Sequence, residues 1–263
     1  MRIFLAGATG AIGRRLVPLL VADGHAVTGT TRSRDKVALV EALGAKPAIV
    51  DAFDRAAVID AVGDARPDVV IHQLTDLPQA FDATALAAAS AGNARLRREG
   101  TRNLVDAALA AGVRRLVAQS IAFVYAPGAG PHGEEDPLDG SEAQAVSVGG
   151  VRALEDAVAS TPGLDDNHAP GIVHHHLEDA VASTPGLDGL VLRYGRLYGP
   201  GTWRETEPGQ PPAVHGDAAA AAALLAVTRG APGIYNIADE DGAVSIAKAR
   251  RELGFDPAFR VRE

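Results

Sequence analysis

The first half of the chain alternates between short apolar runs and longer stretches in which apolar residues recur three and four positions apart. RIFLA (2–6) is almost wholly apolar and fits a strand buried on both faces. A helical pattern follows it, with Ile12, Leu16, Leu19 and Leu20 on one side. HAVTGT (25–30), PAIVD (47–51), PDVVIHQ (67–73), RRLVAQS (114–120) and GLVLRYG (189–195) read as further strands. Helical patterns lie between them from about Asp35 to Leu43, from Arg55 to Val62, and over the Ala-rich residues 79–111, where two helices are expected. Regular alternation of strand and helix predicts an α/β fold, a Rossmann-like doubly wound parallel sheet with right-handed crossovers. From Gly199 the chain is rich in Gly and Pro. The expected division is therefore a Rossmann domain over 1–198 and a small C-terminal substrate lobe over 199–263, at the carboxyl edge of the sheet.

One segment breaks the pattern. LEDAVASTPGLD occurs at 154–165 and again, unchanged, at 177–188, an offset of 23 residues. Two copies are too few for a solenoid. Removing residues 154–176 joins GGVRA smoothly to the second copy, so this stretch reads as a tandem duplication or an engineered insert in a surface connection.

The first chemistry lies between the opening strand and helix. Gly7, Gly10 and Gly13 are spaced G-x-x-G-x-x-G, with Ala8, Thr9, Ala11 and Ile12 between them. In a strand–turn–helix setting this spacing suits a phosphate loop. The first glycine allows a tight turn, the second admits a pyrophosphate, and the third permits close helix–strand packing. The helix N-terminus offers N–H groups and a positive dipole end. At the end of the second strand, where an acid would hold a ribose 2′-hydroxyl, the chain has Thr31, Arg32, Ser33 and Arg34. Two arginines around a serine suit a 2′-phosphate, so NADP(H) is expected over NAD(H). Against this stands the reading of Arg32 and Arg34 as ordinary solvated charges.

Composition narrows the class. Of 263 residues, 47% are hydrophobic and 22% charged, as in ordinary globular proteins. A net charge of −8 leaves no basic stripe for nucleic acid. With no cysteine there is neither a disulfide framework nor a thiolate metal site. No apolar run reaches membrane-spanning length, and Met1 leads directly into the first strand without a leader pattern. A cytoplasmic protein with a small-molecule substrate, no membrane and no nucleic-acid partner is expected. Monomer and homodimer both remain open.

Several segments carry a family resemblance: GATGAIGRRL, VDAFD, PDVVIHQLT, NARLRREGTRNLVDAALAAGVRRLVAQSIAFVYAPG, LRYGRLYGPGT, VHGDAAAAA and GIYNIADEDG. Through them residues 1–125 and 187–255 resemble the short-chain dehydrogenase/reductase superfamily, in its extended or atypical, NAD-dependent epimerase/dehydratase-like branch. The resemblance implies that Asp51 and Ala52 border the adenine. It implies that Gln73, Leu74 and Thr75 line the cofactor cleft. It places Gln119, Ser120, Tyr194, Gly195, Arg196 and Leu197 near the nicotinamide.

The same resemblance exposes a departure. The family works with a hydroxyl residue and a Tyr-x-x-x-Lys pair. Here Ile121 falls at the hydroxyl position beside Ser120, Ser147 stands for the Tyr and Val151 for the Lys. The only lysines are Lys36, Lys46 and Lys248, and none follows a Tyr by four. Ser120, Tyr125, Ser147 and Tyr194 are the replacement candidates, with Tyr198, His72 and His215 behind them. Aromatic packing for the tyrosines and a core role for His72 are the readings favoured over catalysis. Three functions follow: an NADPH-dependent ketoreductase of a bulky, aromatic polyketide-like carbonyl, akin to angucycline-type antibiotic tailoring enzymes, with the proton supplied by another side chain, a water or the substrate itself rather than by a Tyr/Lys pair; a non-catalytic NADP(H) sensor or scaffold; or a nucleotide-sugar epimerase/dehydratase. The run His174–His175–His176, with His168 nearby, reads as a solvated loop rather than a metal site, so no metal is expected.

Overall fold

A computed structural model describes residues 1–78, 83–159 and 186–261. In chain order it contains β1 (Arg2–Ala6), α1 (Gly13–Ala22), β2 (Ala26–Thr31), α2 (Val37–Ala42), β3 (Lys46–Ile49), α3 (Arg55–Ala65), β4 (Val69–His72) and α4 (Ala83–Arg95). A π-turn (Leu96–Gly100) leads into α5 (Thr101–Ala110), followed by β5 (Arg115–Ile121), α6 (Ala145–Ala159), β6 (Asp188–Tyr194) and β7 (Arg196–Tyr198). The chain ends with β8 (Ala213–His215), α7 (Gly216–Leu225), β9 (Gly233–Ile237) and α8 (Ala247–Leu253). The six strands expected from the sequence all form, with ends shifted by one or two residues.

Seven strands pair in parallel in the order β3-β2-β1-β4-β5-β6-β9. The period of two along each strand divides the core. Ile3 and Leu5 of β1 join Leu16, Val17 and Leu20 of α1 and the alanines of α7 on one face. Phe4 and Ala6 join Val58 and Val62 of α3, Leu104 and Ala108 of α5, and Leu154 and Val158 of α6 on the other. Burial of both faces explains why β1 and β4 are apolar without alternation. Pro47 is tolerated because β3 is an edge strand.

The chain winds outward from β1 to β3, then returns to place β4 on the other side of β1. The crevice at the carboxyl ends of β1 and β4 is the topological switch point, where sheets of this kind take ligands.

The lobe expected from residue 199 onward does not stand apart. β9 completes the main sheet beside β6, and α7 packs on α1. The alanine run 218–223 is fully buried and lets α7 approach its neighbours closely, which ties this segment into the Rossmann layer. Only β7 and β8 form a separate two-stranded sheet. Most of the duplicated stretch, with His168 and His174–His176, lies outside the described residues. Its first copy begins within α6.

Candidate active site

The phosphate loop follows directly from its glycines. Gly7 has φ +98°, and a Cβ there would lie 2.8 Å from the Gln73 carbonyl oxygen. Its N–H donates to Thr30 Oγ1 at 3.0 Å. A Cβ on Gly13 would drive into the Gly7 carbonyl oxygen, so α1 can start this close to β1 only with glycine there. Gly10 meets only the Gly7 oxygen, at 3.4 Å, and faces the open cleft. Helix α1 has Ile12 at its N-cap, with no side-chain cap and no acid in its first turn. The Arg14 and Arg15 N–H groups turn back to the Gly10 and Ile12 carbonyls at 3.0 Å, while no side chain caps the start of the helix, whose positive dipole end suits an anionic ligand. Arg15 braces the loop by pairing with Asp217 at 2.9 Å and donating to the carbonyls of Ala11 and Pro200.

Above this loop lies a cleft of about 1610 Å³. Gly7, Thr9, Gly10, Ala11, Ile12, Thr31, Arg32, Ser33, Asp51, Ala52, Gln73, Leu74, Thr75, Gln119, Tyr194, Gly195, Arg196 and Leu197 all line it. Ala8 and Gly13 sit behind the loop. Ala8 is fully buried where a Cβ on Gly29 would touch it, so both act through packing. Arg34 is exposed and outside the lining, because a short 3₁₀ turn at Arg34–Lys36 points Lys36 into the cleft instead. Sequence reading missed Lys36 and Arg14, since neither belongs to the glycine motif or ends the second strand.

These residues fit a dinucleotide. Gln119 donates from Nε2 to the Leu74 carbonyl at 2.9 Å, and Gln73 donates from Nε2 to the Tyr194 hydroxyl at 3.2 Å. That leaves Gln73 Oε1 buried in the cleft wall without a partner among the described residues, an acceptor available to a ligand amide or hydroxyl. Arg32 Nη2 reaches Asp76 Oδ1 at 3.4 Å in an exposed pair.

The candidate catalytic residues separate into distinct roles. Ser147 lines the cleft from α6. Val151 is fully buried and packs with Val124 and Val148 in an apolar cluster. Ser120 and Ile121 line the cleft from the end of β5. The Ser120 hydroxyl donates to Glu155 Oε1 at 3.0 Å. Tyr194 reaches the cleft, but burial raises its phenol above the ordinary range, and the Gln73 hydrogen bond only partly opposes this. Tyr125 stays outside the lining: its hydroxyl donates to Asn236 Oδ1 at 2.7 Å and accepts from Arg193 Nη1 at 2.8 Å, while its ring stacks on His132. Tyr198 accepts from Arg260 and meets His215 edge-on. His215 caps α7, accepting the Asp217 N–H at Nδ1, 3.2 Å away.

His72 is a core histidine. Its Nδ1 accepts from the Leu74 N–H at 3.1 Å, so Nε2 carries the proton and donates to Thr101 Oγ1 at 3.0 Å. Burial, then the nearby Arg97 charge, lowers its pKa to about 4.

Two charged features escaped the sequence reading. Arg193 and Glu155 form a buried bidentate pair beneath the cleft floor, and Arg193 also donates to the Glu134 carbonyl. Arg97, on the π-turn, is 4% exposed and lines the cleft. Neither has a local sequence signature, because Arg193 draws its partners from remote elements and Arg97 is set apart only by its burial.

The chain matches the NAD(P)H-binding family over residues 7–145 and belongs to it. Its relatives include reductases. The 3-diazoavenalumate denitrifying reductase of a Streptomyces species is 39% identical, over 98% of this chain and 83% of the relative. The 4-hydroxy-2-methyl-3-oxo-4-farnesyl-3,4-dihydroquinoline-1-oxide ketoreductase of Stigmatella aurantiaca is 34% identical over 49% of this chain, and the match spans 36% of that relative. Among solved structures, UDP-glucose 4-epimerase of Thermotoga maritima with UDP-glucose superposes with a TM-score of 0.71 at 17% identity, covering 99% of this chain and 94% of the other. That likeness shows the Rossmann-like fold. Among the described residues no helix is long and apolar enough to cross a membrane, and no cluster of metal-ligating side chains occurs.

Proposed function

We propose that the chain is an NADPH-dependent reductase whose hydride acceptor needs no proton from the protein, and that an aromatic diazo group is that acceptor. The observation carrying this reading is the pair Ser147 and Val151. A cleft-facing serine and a buried valine replace a phenol and an ammonium, and Tyr194 has no cation to bring its phenol down. When bound, the reduced nicotinamide supplies a hydride, which with an arenediazonium ion balances to the arene and dinitrogen, whereas a ketone is left as an alkoxide that must take a proton. The Streptomyces relative, named for a diazo compound and for denitrification, supports this choice.

The chain's own residues then bind and orient. The glycine loop and the α1 N-terminus hold the diphosphate. Arg32, Ser33 and Lys36 hold the 2′-phosphate. Gln73 and Gln119 fix the cleft wall. Leu77, Phe123 and Trp203 offer apolar and aromatic surface to a flat substrate. Fixing two reactants in a reactive geometry supplies up to roughly 7–11 kcal/mol of barrier reduction without acid catalysis.

Ketone reduction is the second reading, favoured by the ketoreductase relative, for a substrate carrying its own phenol beside the carbonyl. Epimerisation of a nucleotide sugar calls for a strong acid–base pair, and the described cleft residues include none.

The test mixes purified protein with NADPH and either a hydroxycinnamate-derived diazonium or a panel of phenolic aromatic ketones. Consumption of NADPH with release of dinitrogen and one equivalent of arene is expected. Tight NADPH binding without turnover on any of them overturns the reading in favour of a sensor.

A further inference from the structure

The cleft is more basic than its cofactor role accounts for. Arg14, Arg32, Lys36, Arg97, Arg196 and Arg204 line it, against Asp51 as the one acid among the described lining residues. This occurs in a chain whose net charge is −8. Arg14, Arg32 and Lys36 stand around the phosphate loop and the end of β2, where the dinucleotide's anions belong. Arg97 lies elsewhere. Ser90, Asn93 and Arg97 follow one another at helical spacing and face the cleft from the α4 side. The π-turn carrying Arg97 packs against α6.

Among the described residues Arg97 is a buried cation without a counterion. It forms no ion pair among the described residues, and its Nε is buried with no hydrogen-bond partner. The acid that acts on it electrostatically, Glu155, has both carboxylate oxygens engaged, by Arg193 and by Ser120. Burial lowers the Arg97 pKa to about 10, which still leaves it charged at neutral pH. Burying a charge is costly unless an opposite charge meets it. A cation placed so and opening on a ligand cleft is a site prepared for an anion.

We propose that Arg97 binds a carboxylate of the substrate and so selects aromatic acids over their neutral esters. The planar guanidinium suits two carboxylate oxygens at once, which an ammonium does not. The proposal rests on the cleft's taking a small-molecule substrate but not on turnover.

The experiment is calorimetric titration of NADP⁺-loaded protein with unreactive probes: cinnamate, 4-hydroxycinnamate and their methyl esters. Wild type should bind at least one acid tenfold or more tightly than its ester. Arg97→Met should abolish that preference while leaving NADPH affinity within about twofold, and Arg97→Lys should keep only part of it. Arg97→Met should also melt no lower than wild type, since it removes an unpaired buried charge. Should that variant fail to fold, Arg97→Lys together with ligand-induced stabilisation of wild type decides. The acid should then raise the melting temperature and the ester should not. Equal binding of acid and ester by wild type, absence of acid binding, or a preference that survives in Arg97→Met or undiminished in Arg97→Lys overturns the proposal, as does a tenfold loss of NADPH affinity in its place. A protein that discriminates acids yet reduces nothing sustains the Arg97 assignment and sinks only the reductase reading.

Discussion

Glu155 grips Arg193 through two parallel hydrogen bonds, Nε to Oε1 at 2.8 Å and Nη2 to Oε2 at 2.7 Å, directly beneath Ser120. Both side chains are nearly excluded from solvent. Such a pair stabilises little relative to an apolar substitute, but breaking it on one side strands a charge and costs about 3–5 kcal/mol. Glu155→Gln should therefore lower the melting temperature by on the order of 10 °C. Glu155→Gln combined with Arg193→Met should recover a substantial part of that loss. An unchanged melting temperature in the single variant would show that Arg193 is satisfied by Tyr125 and the Glu134 carbonyl alone.

This pair also marks how far the sequence could be read. The parallel sheet was legible because strands buried on both faces carry unbroken apolar runs such as VVIH at 69–72. The phosphate loop was legible because glycine is the one residue that clears the Gln73 and Gly7 carbonyls. Arg97 and Arg193 were not, since the first matters through its burial and the second through partners from other elements, and neither is a local property. Likewise β9 returns to the main sheet because buried alanines draw α7 onto α1, while the Gly- and Pro-rich composition after residue 199 suggested a separate lobe.

Burial of His72 makes stability depend on pH. In the folded chain it stays neutral down to about pH 4. In the unfolded chain it titrates near 6.5. Between those values the unfolded state binds more protons, so stability rises with pH and is lost as the pH falls from 6.5 towards 4. The full effect is about 3 kcal/mol. His72→Gln, which keeps an acceptor and a donor at this position, should remove that contribution, visible as a difference in slope between the two unfolding-free-energy curves across this window. Parallel curves would mean that His72 titrates alike in both states.

Arg32 should decide between the two nicotinamide cofactors. A charge-assisted hydrogen bond to a 2′-phosphate is worth about 1.5–3 kcal/mol. Arg32→Ala should then weaken NADPH binding by roughly tenfold to a hundredfold and leave NADH within about twofold. Asp76→Asn should tighten NADPH, because Asp76 competes for the same guanidinium at 3.4 Å. Equal losses for NADPH and NADH in Arg32→Ala would refute the 2′-phosphate role.

Excising residues 154–176 should leave a folded, NADPH-binding protein. The cut joins Ala153 to Leu177 and puts Glu178 in the sequence context that Glu155 occupies now. Arg193 keeps a carboxylate for its bidentate contact. In the full chain Glu178→Gln should be neutral, because Glu155 already satisfies Arg193. In the shortened chain the same substitution should destabilise as strongly as Glu155→Gln does in the full one. An insoluble shortened chain, or a harmless Glu178→Gln within it, would show that the two copies are not interchangeable.

Ser147 offers the sharpest test of acid-free hydride transfer. A side chain acting as general acid contributes roughly a hundredfold to ten-thousandfold, so removing a true acid cannot pass unnoticed. Ser147 lines the cleft, and Val151 one turn further on is sealed among Val124 and Val148. Ser147→Ala should therefore change kcat/KM on a diazonium substrate by less than about threefold. The rate should be flat from about pH 6 to 9. Deuterated NADPH should slow the reaction while deuterated water leaves it alone, since no solvent-derived proton moves with the hydride. A large solvent isotope effect, together with a hundredfold loss in Ser147→Ala, would make this serine part of a proton relay and return the enzyme to ketone reduction.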